Sequence, residues 1–270
     1  MKLEIILRTC DRTNVSRFPR FIKISKSELL LGCVASLINA ANQVKNHTIS
    51  FKVLDDRSSE KTLETLNNLF KKSKHYYEFV NLEETGNHYT ALKQFELCRD
   101  SNADLVYSIE DDYLHCPTAL KEALEEFIFL QQKYPIEKSL CLFLWDQPED
   151  YEAKHLSPEL VMRVKYRHWK TGWFTTYSFL TSPMIFRTYW NLFYKLATEY
   201  EEWNGKGNKN DTVHEGNTIS QIWQNHVMRI NPIPSLTLHM QGHLQEDSYI
   251  DWRYWWKHYT QIEPSKMNYK

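Results

Sequence analysis

Two rhythms of apolar residues alternate through the first half of the chain. Leu3 to Arg8 is a short apolar run of the kind a buried strand makes, and Ser25 to Gln43 follows with apolar positions at helical spacing. The helix has a start signal, because Ser25-Lys-Ser-Glu28 has the form of a capping box. Thr48 to Leu54 reads as a strand, Glu60 to Lys72 as an amphipathic helix, Tyr76 to Leu82 as a strand and Asn87 to Asp100 as a helix. Asp104 to Ile109 is again strand-like, Pro117 to Lys133 is a helix with proline near its first turn, and Ser139 to Trp145 closes the series. Such alternation predicts an α/β fold with a mostly parallel sheet between helices.

The second half is more mixed. Leu160 to His168 and Trp173 to Thr181 read as strands that could pair, Pro183 to Tyr200 as one long helix, and Glu201 to Thr212 as a polar loop. Asn217 to Val227 is helical, and Pro232-Ile-Pro234 leads into a short strand from Ser235 to Leu238. All nine tryptophans lie between Trp145 and Trp256, so the two halves are expected to do different work. The expected divisions are 1–135, 136–245 and an aromatic tail, 246–270, within one continuous domain. The Trp252 to Trp256 cluster is expected to dock as a helix on the sheet, ahead of the alternative of a surface patch for a partner or membrane face.

Composition narrows the function. The chain has 270 residues, with 33 basic against 34 acidic side chains. This balance argues against nucleic-acid binding, which needs a basic field. No apolar run is long enough to span a bilayer, and the amino terminus is charged too early for a signal peptide. The five cysteines are scattered with no C-x-x-C pair, favouring reduced thiols and a cytoplasmic setting over a disulfide framework, although Asn14, Asn46 and Asn210 begin glycosylation-type triplets. Only seven glycines are present, and none forms a dinucleotide-binding or P-loop motif.

In an open parallel sheet, ligands bind beyond the carboxyl ends of the strands. Here those ends are polar in succession: Arg8-Thr9-Cys10-Asp11-Arg12, then Asp55-Asp56-Arg57-Ser58-Ser59, then Glu83-Glu84, then Glu110-Asp111-Asp112. Acids and serines are common in turns and helix caps, so no single cluster decides the matter. Three consecutive carboxylates at the mouth of a buried strand repel one another, and a cation is the usual remedy. Oxygen ligands without cysteine suit a hard ion, Mg2+ or Mn2+.

Ile109-Glu110-Asp111-Asp112-Tyr113 followed by Pro117 resembles the D-x-D or E-D-D signature of nucleotide-sugar-dependent glycosyltransferases of the GT-A type. Val53-Leu54-Asp55-Asp56-Arg57-Ser58-Ser59 is similar to their second-strand segment, and Ile6-Leu7-Arg8-Thr9 holds the first-strand position. The resemblance covers roughly residues 3 to 125 and extends less clearly to about residue 245. It implies a GT-A-like sheet with a mixed α+β acceptor-side half, a donor half at 1–135, and an acceptor and catalytic half at 136–245. It also implies a metal-dependent transfer, with inversion at the anomeric carbon, from a nucleoside diphosphate sugar, with a UDP-sugar favoured, to a glycan or other hydroxyl. Asp112 would be the direct metal ligand, with Glu110 and Asp111 on the ribose or a metal-bound water. Arg8 and Thr9 would lie against the nucleotide, and Asp55 or Asp56 against base or ribose. His239, preferred over His243, would complete the metal site. Glu110 departs from the commoner aspartate, which leaves the division of labour inside the triplet open.

An inverting transfer needs a carboxylate base, and Asp211-Thr-Val-His214-Glu215-Gly216 supplies Glu215 as first choice and Asp211 as second. His214 lacks the second histidine of H-E-x-x-H and is expected to be a spectator. Trp173 is the aromatic expected at the acceptor cleft, since aromatic faces cover the apolar patches of sugar rings. Two rivals remain: a carbohydrate-binding or scaffolding module on the same fold, and a sugar-phosphate nucleotidyltransferase. The second is disfavoured because Arg8 to Phe18 contains no glycine.

Overall fold

A computed structural model describes residues 1–12, 24–133, 140–146, 151, 160–201, 212–240 and 252–260. Its centre is a nine-stranded sheet of order β3-β2-β1-β4-β9-β6-β10-β8-β7. The strands are β1 (Lys2–Thr9), β2 (Thr48–Asp55), β3 (Tyr76–Val80), β4 (Leu105–Glu110), β6 (Leu140–Leu142), β7 (Val161–Arg163), β8 (His168–Gly172), β9 (Phe179–Thr181) and β10 (Met228–Ile233). A two-stranded ribbon joins β5 (Tyr113–His115) to β11 (Thr237–His239). β3, β2, β1 and β4 are parallel, whereas β9 runs antiparallel to both of its neighbours, β4 and β6. The fold is therefore α/β, with a parallel first half and a mixed second half.

Near-continuous burial of β1 and β4 follows from their apolar sequences and central places. The helices are α1 (Lys26–Asn42), α2 (Glu60–Phe70), α3 (Asn87–Asp100), α4 (Ala119–Lys133), α5 (Pro183–Thr188), α6 (Trp190–Glu199), α7 (Ile219–Asn225) and α8 (Trp252–Thr260). α1 packs against α2, α4 and α8, while α3 packs against α5 and α6. The capping box at Ser25 and Glu28 forms as the sequence predicts. α8 docks on α1 and not on the sheet as expected, because Gly32 leaves room for it: an added Cβ there would stand 2.6 Å from Thr260 Cγ2 and 2.8 Å from Trp256. Among the described tryptophans, Trp145, Trp169, Trp223, Trp252 and Trp256 are core residues.

Several boundaries differ from the sequence reading. Leu160–His168 is not one strand: it turns at Val164–Arg167, between β7 and β8. Glu126 of α4 fixes that turn, its buried carboxylate accepting the backbone N–H groups of Lys165 (2.9 Å) and Tyr166 (2.7 Å). Of Trp173–Thr181, only 179–181 is strand, and it joins β4 and β6 instead of the 160–168 segment. The long helix breaks at Tyr189, whose φ of -112° and ψ of 28° leave the helical region and whose ring stacks on His226. β5, β8 and β10 are strands the sequence reading did not anticipate. No described helix is long and apolar enough to cross a membrane.

Candidate active site

Strand register alone brings most of the polar ends together. β1 and β4 pair Arg8 with Glu110, and β1 and β2 pair Thr9 with Asp55, so three strands finish level. The Thr9 hydroxyl donates to Asp55 Oδ2 at 2.7 Å, and Asp55 Oδ1 accepts the Ser58 N–H at 2.8 Å. The Asp56 N–H donates to the Thr9 carbonyl at 2.8 Å, while its carboxylate accepts the Gly86 N–H at 2.9 Å. Gly86 has φ of 104°, a conformation that favours glycine, and it begins α3. Asp11 accepts from Ser59 and Thr62, tying the end of β1 to the first turn of α2. Burial acts to raise the Asp11 pKa, but these hydrogen bonds outweigh it and hold the carboxyl below its ordinary value.

The acid triplet is already partly neutralised from within the chain. The Arg8 guanidinium, which the resemblance would set against a nucleotide, turns inward to Glu110 Oε1 at 2.6 Å and to Asn87 Oδ1 at 3.0 Å, with its charge 5.0 Å from the Tyr177 ring centre. Asp111 accepts the Cys10 N–H at 2.8 Å through Oδ2 and forms an ion pair with Lys26 through Oδ1. Burial alone opposes a charge on Lys26; Asp111 and Asp112 together outweigh it and hold the ammonium protonated well beyond its ordinary range. Lys26 was not among the sequence candidates. It opens α1, which leads to the beginning of β2, and so its end of the helix lies at the carboxyl rim of the sheet.

Asp112 faces a different partner. Its Oδ2 lies 3.4 Å from His239 Nε2, and its carbonyl accepts the Met240 N–H at 2.8 Å. The His239 ring is stacked on Tyr113 with centroids 4.5 Å apart, and Trp145 meets it edge-on at 5.3 Å. The β5–β11 ribbon creates this arrangement by pairing Tyr113 with His239. Two ligands in neighbouring octahedral positions on Mg2+ stand about 3 Å apart, so Asp112 and His239 fit one shared hard ion. Among the described residues no group of three His, Cys, Asp or Glu side chains converges as a metal site, so this pair would hold an ion together with substrate oxygens and water.

Residues from the second half reach the triplet through the segment before β9. Ser178 Oγ accepts the Glu110 N–H at 3.2 Å, the Tyr113 hydroxyl is 2.8 Å from Thr176 Oγ1, and Tyr177 lies beneath Arg8. Trp173 stands at the start of this segment, half-buried, with its ring edge-on to Phe174 at 6.1 Å. Glu215 opens a 3-10 turn ahead of α7, whose far end feeds the start of β10, placing Glu215 toward the same rim. Burial raises the Tyr177 pKa, and the nearby Glu215 charge adds to the rise, which puts Glu215 within electrostatic reach of the Arg8–Tyr177 pair. His214 accepts the Gly216 N–H at 3.0 Å, a local capping role consistent with a spectator. Asp211 and His243 lie outside the described residues.

Behind the triplet, His115 is fully buried between the Tyr113 carbonyl (3.0 Å from Nδ1) and the Tyr107 hydroxyl (3.1 Å from Nε2). Burial depresses its pKa to about 3, so the native state holds it neutral while the unfolded chain titrates at its ordinary value of 6.5. Its contribution to stability is therefore complete above pH 6.5 and is lost as pH falls from 6.5 toward 3. Between those limits unfolding takes up about one extra proton at this site. Thermal melts across that range are expected to show a shallower pH slope for His115→Asn than for the parent protein.

A groove of about 520 Å³ lined by Met1, His47, Asp104 and Phe127 lies at the opposite, amino-terminal edge of the strands. Two of its polar groups are engaged locally, His47 with the terminal amine and Asp104 with the Lys2 N–H. The carboxyl rim, where charged groups at the ends of β1, β2 and β4 meet Lys26 of α1 and His239 of β11, is the stronger candidate.

No known family profile matches the chain, and no curated protein does. Among solved structures, Staphylococcus aureus TarS 1-349 in complex with UDP-GlcNAc has a TM-score of 0.52 at 13% identity, covering 94% of this chain and 63% of that chain. The mannosyltransferase PcManGT from Pyrobaculum calidifontis, in complex with GDP-Man and Mn2+, has a TM-score of 0.48 at 12% identity, covering 85% of this chain and 54% of that one. The chain thus spans less than two thirds of the length of either protein. At such identities the likeness is one of fold. The mostly parallel sheet and its flanking helices have the glycosyltransferase GT-A architecture.

Proposed function

We propose that the protein is a glycosyltransferase that takes a sugar from a nucleoside diphosphate donor, with a UDP-sugar favoured, and passes it with inversion to a hydroxyl of a glycan or other acceptor. The observation that carries this reading is the level row of polar strand ends from Asp55 through Thr9 to the acid triplet, with Asp112 facing His239 beyond it. In this reading Asp55 and Asp56 orient the base and ribose, and Asp112 and His239 hold Mn2+ or Mg2+ beside the diphosphate. Bound there, the ion supplies Lewis-acid neutralisation of the leaving group.

The chain's own residues supply the rest. Arg8 fixes Glu110, and Lys26 fixes Asp111, so the rim is rigid before substrate arrives. Glu215 takes the proton from the acceptor hydroxyl while its oxygen bonds to the anomeric carbon. The bond from that carbon to the diphosphate oxygen breaks, and the diphosphate leaves with the electron pair. The residues before β9, from Trp173 to Ser178, form one wall of the acceptor side.

Calorimetry with UDP tests the reading directly. Binding that strengthens when Mn2+ is added is the expected result. Affinity for glycans that ignores both UDP and metal would instead mark a carbohydrate-binding module and overturn the assignment.

A further inference from the structure

We propose that the open edge of the sheet at β3 joins a second copy of this chain, strand to strand and antiparallel, across a two-fold axis. β3 is an end strand, and among the described residues only β2 pairs with it, so its outer row of backbone N–H and C=O groups faces no other strand. Such an edge is a template for a further strand, and natural sheets often blunt it with lysine or proline in the strand itself. Tyr76-Tyr-Glu-Phe-Val80 has neither, and Tyr76 and Phe79 stand 67% and 38% exposed. The one charge in the strand, Glu78, accepts a hydrogen bond from the Tyr76 hydroxyl at 3.1 Å, so these two side chains share a face.

Charge along the edge is polarised, and that decides which partner fits. Ahead of β3 lie Lys71, Lys72 and Lys74, all exposed, where α2 ends. Beyond it lie Glu83 and Glu84, also exposed, at the end of the sheet where α2 begins with Glu60 and Glu64 against a single Lys61. An antiparallel copy lays the lysine end of each β3 against the glutamate end of the other, twice over, whereas a parallel copy would set like charges side by side. A two-fold axis normal to the sheet keeps every side chain on its own face, so opposed residues differ by an even number of positions. Centred on Glu78, the axis would oppose two carboxylates. Centred on Tyr77, it gives each Glu78 the Tyr76 of the second copy, a favourable cross-strand pair. Because the joined strands run opposite ways, the two carboxyl rims point to opposite ends of the combined sheet and both stay open.

One short strand pair buries less than a standard interface of about 1,600 Å², so the dimer is weak, with a dissociation constant in the micromolar range. Sedimentation velocity of the full chain, from low micromolar to several hundred micromolar, tests it. Expected is a monomer–dimer equilibrium that shifts toward monomer at high salt. Tyr76→Glu opposes two acids at each of two equivalent positions and is expected to raise the dissociation constant about tenfold. Lys72→Glu/Lys74→Glu and Glu83→Lys/Glu84→Lys each carry one sign at both ends, so each is expected to stay monomeric. An equimolar mixture of the two is expected to form a heterodimer, which also shows that neither has lost its fold. A parent chain that stays monomeric throughout at low salt overturns the proposal, as does a dimer that all three variants leave intact. Double variants that are folded by circular dichroism yet fail to associate when mixed overturn it as well.

Discussion

Changing Asp112 to alanine is expected to lower sugar transfer from a nucleoside diphosphate donor about a thousandfold in saturating Mn2+. The reason lies in the unequal positions of three adjacent acids. Glu110 is paired with Arg8 and Asp111 with Lys26, whereas Asp112 stands 3.4 Å from His239. Glu110→Gln and Asp111→Asn keep the shape of their side chains and act on the rim through Arg8 and Lys26, so their losses should be smaller. Initial rates for the three variants, with melting temperatures to establish folding, provide the comparison. Asp112→Asn guards against a packing defect, since Asp112 is buried. Activity of Asp112→Ala within a few-fold of the parent would remove this residue from the metal site.

The second large effect is expected at Glu215. Glu215→Gln is nearly isosteric but cannot accept a proton, and the loss of a general base typically costs two or more orders of magnitude in rate, about a hundredfold at the least. UDP affinity should be unchanged, because Glu215 lies on a separate turn ahead of α7 and not on the strand ends. A rate near that of the parent would return the role to Asp211, the alternative in the same segment. Weakened UDP binding with an intact rate at saturation would make Glu215 a structural support for Tyr177 instead.

Much of the first half was legible in the sequence because local physics and tertiary structure agree there. The capping box at Ser25, the helical spacing of α2 and α3 and the apolar run of β4 each point to one outcome. The polar strand ends could be read for the same reason, since a buried run that stops abruptly in acids marks where a strand leaves the core. β10 was not legible: its Arg229, Asn231 and Pro232 look like a loop. It is a strand because β6 accompanies it only as far as Ile230, so Pro232 lies where one neighbouring strand remains. The buried Arg229 is held by Asn231 at 2.9 Å and lies over the Phe143 ring. Within the site, Lys26 escaped notice because its sequence neighbours explain it fully as the first turn of a helix. Its contact with Asp111 depends on how α1 lies against the sheet, which no spacing rule reports. The same holds for Tyr177, which looks like one more aromatic in an aromatic-rich half.

The reversed direction of β9 carries a consequence for how such a protein can change. Because β9 starts where β4 finishes, its ladder partners, Ser108 with Phe179 and Val106 with Thr181, are fixed by the backbone alone. The preceding residues are held by no comparable ladder. Under the proposed function, exchanging the outer part of that stretch, Trp173 and Phe174, would redraw the surface offered to an incoming hydroxyl, whereas Thr176, Tyr177 and Ser178 are tied to Tyr113, Arg8 and Glu110 and would change only together with the acid triplet. On that reading, diversification of acceptor choice, by evolution or by loop grafting, has a ready location at the outer end of this stretch.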